Sequence, residues 1–336
     1  MNSYSNLYAV RGVCLKLLVD AGVSSERKSM LREVMKGGGL DVIFMDEATQ
    51  EQLDECQVLL QSFGAASRIA GNVSRARNLR MIQTISAGVD SLPFESIPPG
   101  IMICSNAGAF SEPIAEHVFG MILSLSKKLK LNESKMRSGK FDQEGRTTEL
   151  RGLTLGVLGY GGIGKAVAAI GRCFGMKIYG ISRDPSNLKS CDFHGGMDKL
   201  DNMLSVSDVV VISIPLNKST RGLIDAGKLS LMKGNAILVN VARGHVIVEN
   251  DLYAHLKSHP SFSAGIDAWW KEPRHGENFE GNLDFLSLQN VVGSPHNSGI
   301  VEGMDARIVR KAIANILRFV SGQKPLNIVN REDYLP

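Results

Sequence analysis

The sequence predicts an α/β fold in two domains, the larger a doubly wound parallel sheet inserted into the smaller. Three observations lead there. Short apolar runs alternate with helical patterns along nearly all of the 336 residues, which is how a largely parallel sheet reads. Six such runs crowd between residues 154 and 293, enough for a complete doubly wound unit. An amphipathic pattern at Met304–Val320 follows the last of them, so the C-terminus is expected to return to the first domain. The expected division is 1–105 plus 299–336 for one domain and 106–298 for the other.

Taken in order, Val13–Val19, Val42–Phe44, Gln57–Leu60, Arg80–Ile85 and Ile101–Cys104 read as strands, with helix-like spacing between them as at Glu26–Lys36. Glu112–Lys128 is a long helical run carrying Ile114, Val118, Met121, Ile122 and Leu125. The polar stretch Asn132–Glu149, with Gly139 and Gly145, reads as a loop or arm rather than a core element. The dense set follows: Thr154–Leu158, Lys177–Ile181, Asp208–Ile214, Ala236–Val241, Phe262–Ile266 and Asn290–Gly293. Residues 1–11 read as a loose tail.

Composition excludes several classes. Hydrophobic residues make up 43% and charged residues 21%, ordinary for a globular chain. The net charge is +4, from 38 basic and 34 acidic side chains. This small, dispersed excess points to neither nucleic acid nor a membrane surface. The five cysteines, Cys14, Cys56, Cys104, Cys173 and Cys191, contain no CxxC pair and are odd in number, which fits a reducing compartment. Met1–Gly12 lacks an apolar core of signal-peptide length, and no uninterrupted apolar run is long enough to span a bilayer. The expected location is cytoplasmic. No His/Cys cluster has metal-ligand spacing.

Between the strand ending at Leu158 and the helix expected at Ile163–Phe174 stands Gly159-Tyr160-Gly161-Gly162-Ile163-Gly164. The spacing is GxGxxG. The first glycine permits a tight turn, the second lets backbone N–H groups approach a pyrophosphate, and the third lets helix and strand pack closely. The helix N-terminus adds a favourable dipole. This is a dinucleotide signature. At the end of the next strand, where NAD enzymes place a carboxylate for the ribose hydroxyl, the chain reads Ser182-Arg183. Serine and arginine can bind a 2′-phosphate that a carboxylate would repel, so NADP is expected, with NAD the alternative. Asp184 is two residues late and precedes Pro185, which suits a turn.

Ligands of open α/β sheets bind at the carboxyl ends of the strands. There the sequence places Arg243 after Ala236–Val241, Asp267 and Glu272 after Phe262–Ile266, and His296 after Asn290–Gly293. Arginine can hold a carboxylate and polarise a ketone. Histidine exchanges protons near neutrality, and a neighbouring glutamate favours the charged ring and fixes its tautomer. The set suits hydride transfer to a 2-oxo acid, with the hydride chemistry supplied by the cofactor. His245, His255, His259 and His275 read as surface residues, and His117 as packed within its helix.

These residues carry a resemblance. From about Met81 to Arg318 the chain resembles the D-isomer-specific 2-hydroxyacid dehydrogenases, which include glyoxylate/hydroxypyruvate reductases and phosphoglycerate dehydrogenases. Its marks are Ser86-Ala-Gly-Val-Asp90, Asn106-Ala-Gly108 with Ala115-Glu-His117, and Leu150-Arg-Gly-Leu-Thr-Leu-Gly156 before the glycine loop. Ile214-Pro-Leu216, Thr220, Asn240-Val-Ala-Arg-Gly244, Gly265-Ile-Asp267, Glu272-Pro273 and Pro295-His296 complete them. The resemblance implies a Rossmann-type cofactor domain inserted into a smaller flavodoxin-like substrate domain. It implies Arg243 as substrate anchor, Glu272 as the partner of His296, and His296 as general acid in reduction. Backbone N–H groups at Ala87-Gly88 would take the substrate carboxylate. Pro215, Thr220, Val241, Ala242, Arg243, Asp267, His296 and Ser298 join the glycine loop, Ser182 and Arg183 as expected cofactor contacts, Asp267 towards the carboxamide. A homodimer through the cofactor domain is expected, with Glu112–Glu149 as the interface arm.

The resemblance leaves alternatives. A phosphoglycerate dehydrogenase would want extra basic residues for a substrate phosphate and often a C-terminal regulatory domain, which a chain stopping at Pro336 is not expected to carry. Formate dehydrogenases pair the histidine with glutamine, whereas this chain has Glu272. A dinucleotide-sensing co-regulator is the rival outside enzymes, since such relatives can keep the Arg243, Glu272, His296 set. Trp269-Trp270 stands where smaller or single aromatic residues are commoner; it reads either as packing at the domain edge or as a narrowed active-site wall.

Overall fold

The computed structural model describes residues 15–20, 24–36, 40–62, 68–184, 190–273 and 277–335. Residues 1–14, with the tail and Cys14, and also Pro185 and His275, lie outside the described residues. The chain divides into two compact units, Met1–Ala109 with Val301–Pro336, and Phe110–Ile300.

The first unit carries five parallel strands: β1 (Leu15–Val19), β2 (Leu40–Phe44), β3 (Val58–Gln61), β4 (Met81–Thr84) and β5 (Met102–Cys104), in the order β2-β1-β3-β4-β5. The described side chains of β3 and β4 are all buried, as expected of a parallel sheet covered on both faces. Helix α1 (Ser25–Lys36) packs with the C-terminal helix α10 (Met304–Val320). In α10 the buried residues Ile308, Val309, Ala312, Ile313 and Ile316 form one stripe at helical spacing. The helix is fastened by polar groups as well. Asn315 donates to Gln83 Oε1 at 2.7 Å, and the Asn106 amide donates to the Ile308 carbonyl at 3.0 Å. Both asparagines are buried, so losing either partner would strand a desolvated polar group. Helices α2 (Gln50–Glu55) and α3 (Ile69–Arg75) complete the unit.

The second unit carries seven parallel strands: β6 (Thr154–Leu158), β7 (Lys177–Ile181), β8 (Phe193–Gly195), β9 (Val209–Ile212), β10 (Ile237–Asn240), β11 (Ser263–Ile266) and β12 (Val291–Gly293). Their order is β12-β11-β10-β9-β6-β7-β8. Strand order reverses between β6 and β9, and that is where such sheets open a crevice. Helix α4 (Ser111–Ser126) lies on one face with α6 (Gly162–Cys173), burying Ile114, Val118, Met121 and Ile122 among Leu155, Val157 and Val239. Helices α7 (Leu200–Val206), α8 (Ala226–Leu231) and α9 (Glu249–Ser258) belong to the opposite face, whose core includes Leu204, Leu229, Leu252 and Phe262.

Two elements depart from the sequence reading. β8 was not expected: three residues at a sheet edge, with Phe193 exposed, leave no alternating pattern to read. The stretch expected as a loop from Asn132 contains most of a helix, α5 (Leu129–Arg137). It buries no side chain and is held by a Glu133–Arg137 ion pair one turn apart. Its apolar side chains, Leu129, Leu131 and Met136, are too few in nine residues to repeat as a stripe, so periodicity missed it. Among the described residues, no helix is long and apolar enough to cross a membrane.

Candidate functional site

The polar groups that the sequence places at the candidate site within the second unit each follow a parallel strand. β6 ends in the turn at Gly159, whose φ is +101°, a region open to glycine at no steric cost. A side chain there would meet the backbone of Ser213, which follows β9, at 2.8 Å. The Ser213 hydroxyl donates to the Gly159 carbonyl at 2.8 Å, closing the two strand ends together at the reversal. A Cβ on Gly164 would collide with the Gly159 carbonyl and with Val157, so the helix seats against the strand only because that Cβ is missing. A Cβ on Gly161 would meet nothing within 4 Å. Gly161 is the N-cap of α6 and no side chain caps that end. Open space in front of uncapped helical N–H groups is what a pyrophosphate needs, so the loop fits a dinucleotide. Gly162 and Ile163 continue it as the first helical residues, and Tyr160 is buried with its hydroxyl 3.0 Å from Ser190 Oγ.

At the end of β7, Ser182 is half-buried and Arg183 exposed. The Asp184 backbone N–H donates to the Ser182 hydroxyl at 3.3 Å, which places Asp184 in a turn. After β9, the Thr220 hydroxyl donates to the Pro215 carbonyl at 2.7 Å and accepts from the Asn217 N–H at 2.9 Å, so its main work is closing that turn.

The turn after β10 is built by Asn240, a buried side chain. Its amide donates to the Arg243 carbonyl at 2.9 Å and its oxygen accepts from the Ala242 N–H at 3.0 Å. This fixes Val241, Ala242 and Arg243. The Arg243 guanidinium donates to the Ala242 carbonyl at 2.8 Å.

After β12 comes Ser294-Pro295-His296. His296 Nδ1 lies 2.8 and 2.9 Å from the two carboxylate oxygens of Glu272. That contact makes Nδ1 the donor and leaves Nε2 for proton exchange. Glu272 Oε1 also accepts from the Trp269 backbone N–H at 3.0 Å. Burial works to raise the Glu272 pKa. The hydrogen bond and charge of His296, the Trp269 N–H and the charge of Arg243 outweigh it, and the net result is a carboxyl held below its usual range. Arg243, Glu272 and His296 are thus brought into one electrostatic neighbourhood.

Asp267 has a task that the sequence reading did not give it. Its carboxylate is fully buried and accepts from the hydroxyls of Ser294 and Ser298 and from the Asn297 N–H at 3.2 Å. It therefore anchors the segment on which His296 sits. His117, read as merely packed in α4, belongs to the same network: its Nε2 lies 2.9 Å from Ser294 Oγ and 3.9 Å from Asp267 Oδ1. Its place in Ala115-Glu-His117 was the available signal. His255 is half-buried rather than a surface residue, with its ring edge-on to Phe262 and stacked on His259; His245 and His259 are exposed. Both tryptophans are packed. Trp270 stacks on Phe285 at 5.2 Å and donates to the Ile247 carbonyl at 2.7 Å. Ala87 and Gly88 lie in the first unit after β4, half-buried, in a turn where Ser86 Oγ donates to the Gly88 carbonyl at 2.8 Å.

Residues 119–298 match the family described as D-isomer specific 2-hydroxyacid dehydrogenase, NAD binding domain. The chain is 30% identical over 329 residues to a glyoxylate reductase of Thermococcus kodakarensis, covering 95% of this chain and 92% of that one. A D-isomer specific 2-hydroxyacid dehydrogenase of Xanthobacter autotrophicus Py2, solved with NADPH and MES, superposes with a TM-score of 0.79 at 26% identity, over 96% of this chain and 100% of that one. A D-lactate dehydrogenase of Aquifex aeolicus, solved with NAD and lactic acid, gives 0.70 at 27% identity, over 95% and 99%.

Proposed function

The chain belongs to the D-isomer specific 2-hydroxyacid dehydrogenase family, NAD(P)-dependent oxidoreductases acting on CH–OH groups, and from that premise we propose that it reduces small 2-oxo acids of the glyoxylate or hydroxypyruvate type with a preference for NADP. The observation that carries the reading is the His296–Glu272 contact of 2.8 Å, with Arg243 close enough to bias the same carboxylate. The reduced nicotinamide supplies the hydride when bound. Arg243 holds the 2-oxo acid by charge and hydrogen bonding and draws electron density towards the ketone oxygen. As negative charge gathers on that oxygen, His296 Nε2 gives it a proton, and ionised Glu272 stabilises the ring while it is charged. Asp267 and Ser298 keep the His296 segment in register.

NADP preference rests on Ser182 and Arg183. No carboxylate stands at the end of β7, and Asp184 is turned into the following bend. The T. kodakarensis relative supports glyoxylate as the substrate class, and the X. autotrophicus structure is one neighbour solved with NADPH. Pairing of two copies through the arm of residues 112–149 belongs to the same reading; Leu129, Met136 and Phe141 stand exposed there.

Steady-state turnover with NADPH and NADH against glyoxylate, hydroxypyruvate, 3-phosphohydroxypyruvate and pyruvate tests the proposal. The expected result is reduction of the small acids, faster with NADPH and abolished in His296→Ala. A wild type no faster than His296→Ala with every acid would overturn the enzyme reading in favour of a dinucleotide-sensing protein. A tenfold preference for NADH would overturn the cofactor reading.

A further inference from the structure

We propose that Trp269 is the positioning residue of the His296–Glu272 pair, holding both partners through two different donors. The inference rests on the proposed reduction of 2-oxo acids and extends it to a residue that touches no reacting atom.

Trp269 lies three residues past β11, and its side chain is buried, 8% exposed. Its backbone N–H donates to Glu272 Oε1 at 3.0 Å, the oxygen that also faces His296 Nδ1 at 2.8 Å. Its indole N–H donates to the Ser294 carbonyl at 2.8 Å, two residues before His296. One residue therefore fixes the carboxylate directly and the histidine's chain segment indirectly. The third member is coupled as well. A Cβ on Gly244, next to Arg243, would run into the Trp269 backbone carbonyl. Arg243 can turn where it does because a glycine follows it and lets Trp269 pass.

The ring itself is wedged. Phe279 meets it edge-on at 4.9 Å and Phe285 at 6.3 Å. A Cβ on Gly293 would stand 2.8 Å from the indole Cζ2. The indole slides over bare glycine backbone to reach Ser294. Among aromatic side chains only indole combines this flat bulk with an N–H at the rim, since a phenyl ring offers no donor. His296 gains from such help, because its φ of +51° is a left-handed conformation that residues with a side chain adopt uncommonly.

Trp269→Phe removes the indole donor and keeps an aromatic ring. Gly293→Ala keeps the indole and pushes it off Ser294. Each is measured by the pH profile of kcat/KM for glyoxylate reduction, by NADPH affinity, and by NMR titration of imidazole-labelled protein. In both variants kcat is expected to fall about tenfold with NADPH affinity and substrate KM within about twofold of wild type. The alkaline limb of the profile is expected to move to lower pH and the imidazole titration with it, as a ring that loses a well-placed carboxylate holds its proton less tightly. A lower melting temperature with an unmoved limb and an unmoved titration in either folded variant would make Trp269 plain packing and overturn the inference. Failure of the parent reading looks different: wild type would reduce no 2-oxo acid, while the NMR titration would still report whether Trp269 holds the pair.

Discussion

The backbone N–H of His296 donates to the carbonyl of Asp267 at 2.9 Å, while the Asp267 carboxylate gathers Ser294, Asn297 and Ser298 around it. Main chain and side chain of one aspartate thus hold one short segment in a left-handed bend. Asp267→Ala would leave two hydroxyls and an N–H without their acceptor in a buried place. Removing hydrogen bonds to a buried charge costs about 2–3 kcal/mol, so the unfolding free energy in urea is expected to drop by about that much. Displacing His296 is expected to lower kcat/KM by about 100-fold. A stable variant with full activity would show that the segment holds its bend unaided.

The glycine loop separates two roles that one motif usually confounds. Gly164 is required by packing, because its Cβ would strike the Gly159 carbonyl; Gly161 faces open space. Gly164→Ala is expected to lose about 1–3 kcal/mol of stability, as over-packed sites do. Gly161→Ala is expected to keep its melting temperature within about 2 °C and weaken NADPH binding about tenfold or more, since a methyl group then stands where phosphate must approach. Calorimetry and fluorescence titration read the two effects separately.

This contrast explains what was legible in the chain. That the GxGxxG turn, Arg243, Glu272 and His296 all follow parallel strands was legible because strand ends can be counted. The parallel strands were legible as dense apolar runs, and α10 as a stripe from Ile308 to Ile316. Asp267 as a scaffold, His117 as its neighbour and Trp269 as a clamp were not. Each acts through a contact with Ser294, and Ser294 is 177 residues away from His117. No local pattern records a pairing across that distance. β8 and α5 were lost for the opposite reason, a local signal too short or too polar to show a period.

Cofactor choice should follow the end of β7. Ser182→Asp would place a carboxylate where the sequence lacks one, next to the exposed Arg183. Repulsion of a 2′-phosphate and a new acceptor for a ribose hydroxyl act in the same direction. The ratio of kcat/KM for NADPH over NADH is expected to fall by about 100-fold in the variant, with the 2-oxo acid KM unchanged. If the ratio stays at its wild-type value, position 182 is not where the two cofactors are told apart.

Stability in mild acid is expected to depend on His255. His255 on α9 sits edge-on to Phe262 at 4.6 Å and stacks on His259 at 4.1 Å, and its Nε2 is buried without a hydrogen-bond partner. Burial, and then the charge of His259, lower its pKa from the ordinary value. The unfolded chain binds that proton more readily than the folded one, so the folded state is favoured while the ring stays neutral. The contribution is complete above the unfolded pKa, about 6.5, and is lost as pH falls through that value towards the lower folded one. Glu272 also has a lowered folded pKa, but its contribution is lost only as pH falls below the ordinary carboxylate range. On acidification the His255 contribution is therefore the first of the two to decline. Melting temperatures between pH 7.5 and 5.5 should therefore decline in wild type and decline less in His255→Phe, which fills the same apolar niche without a titrating nitrogen. Parallel curves for the two proteins would locate the mild-acid sensitivity elsewhere.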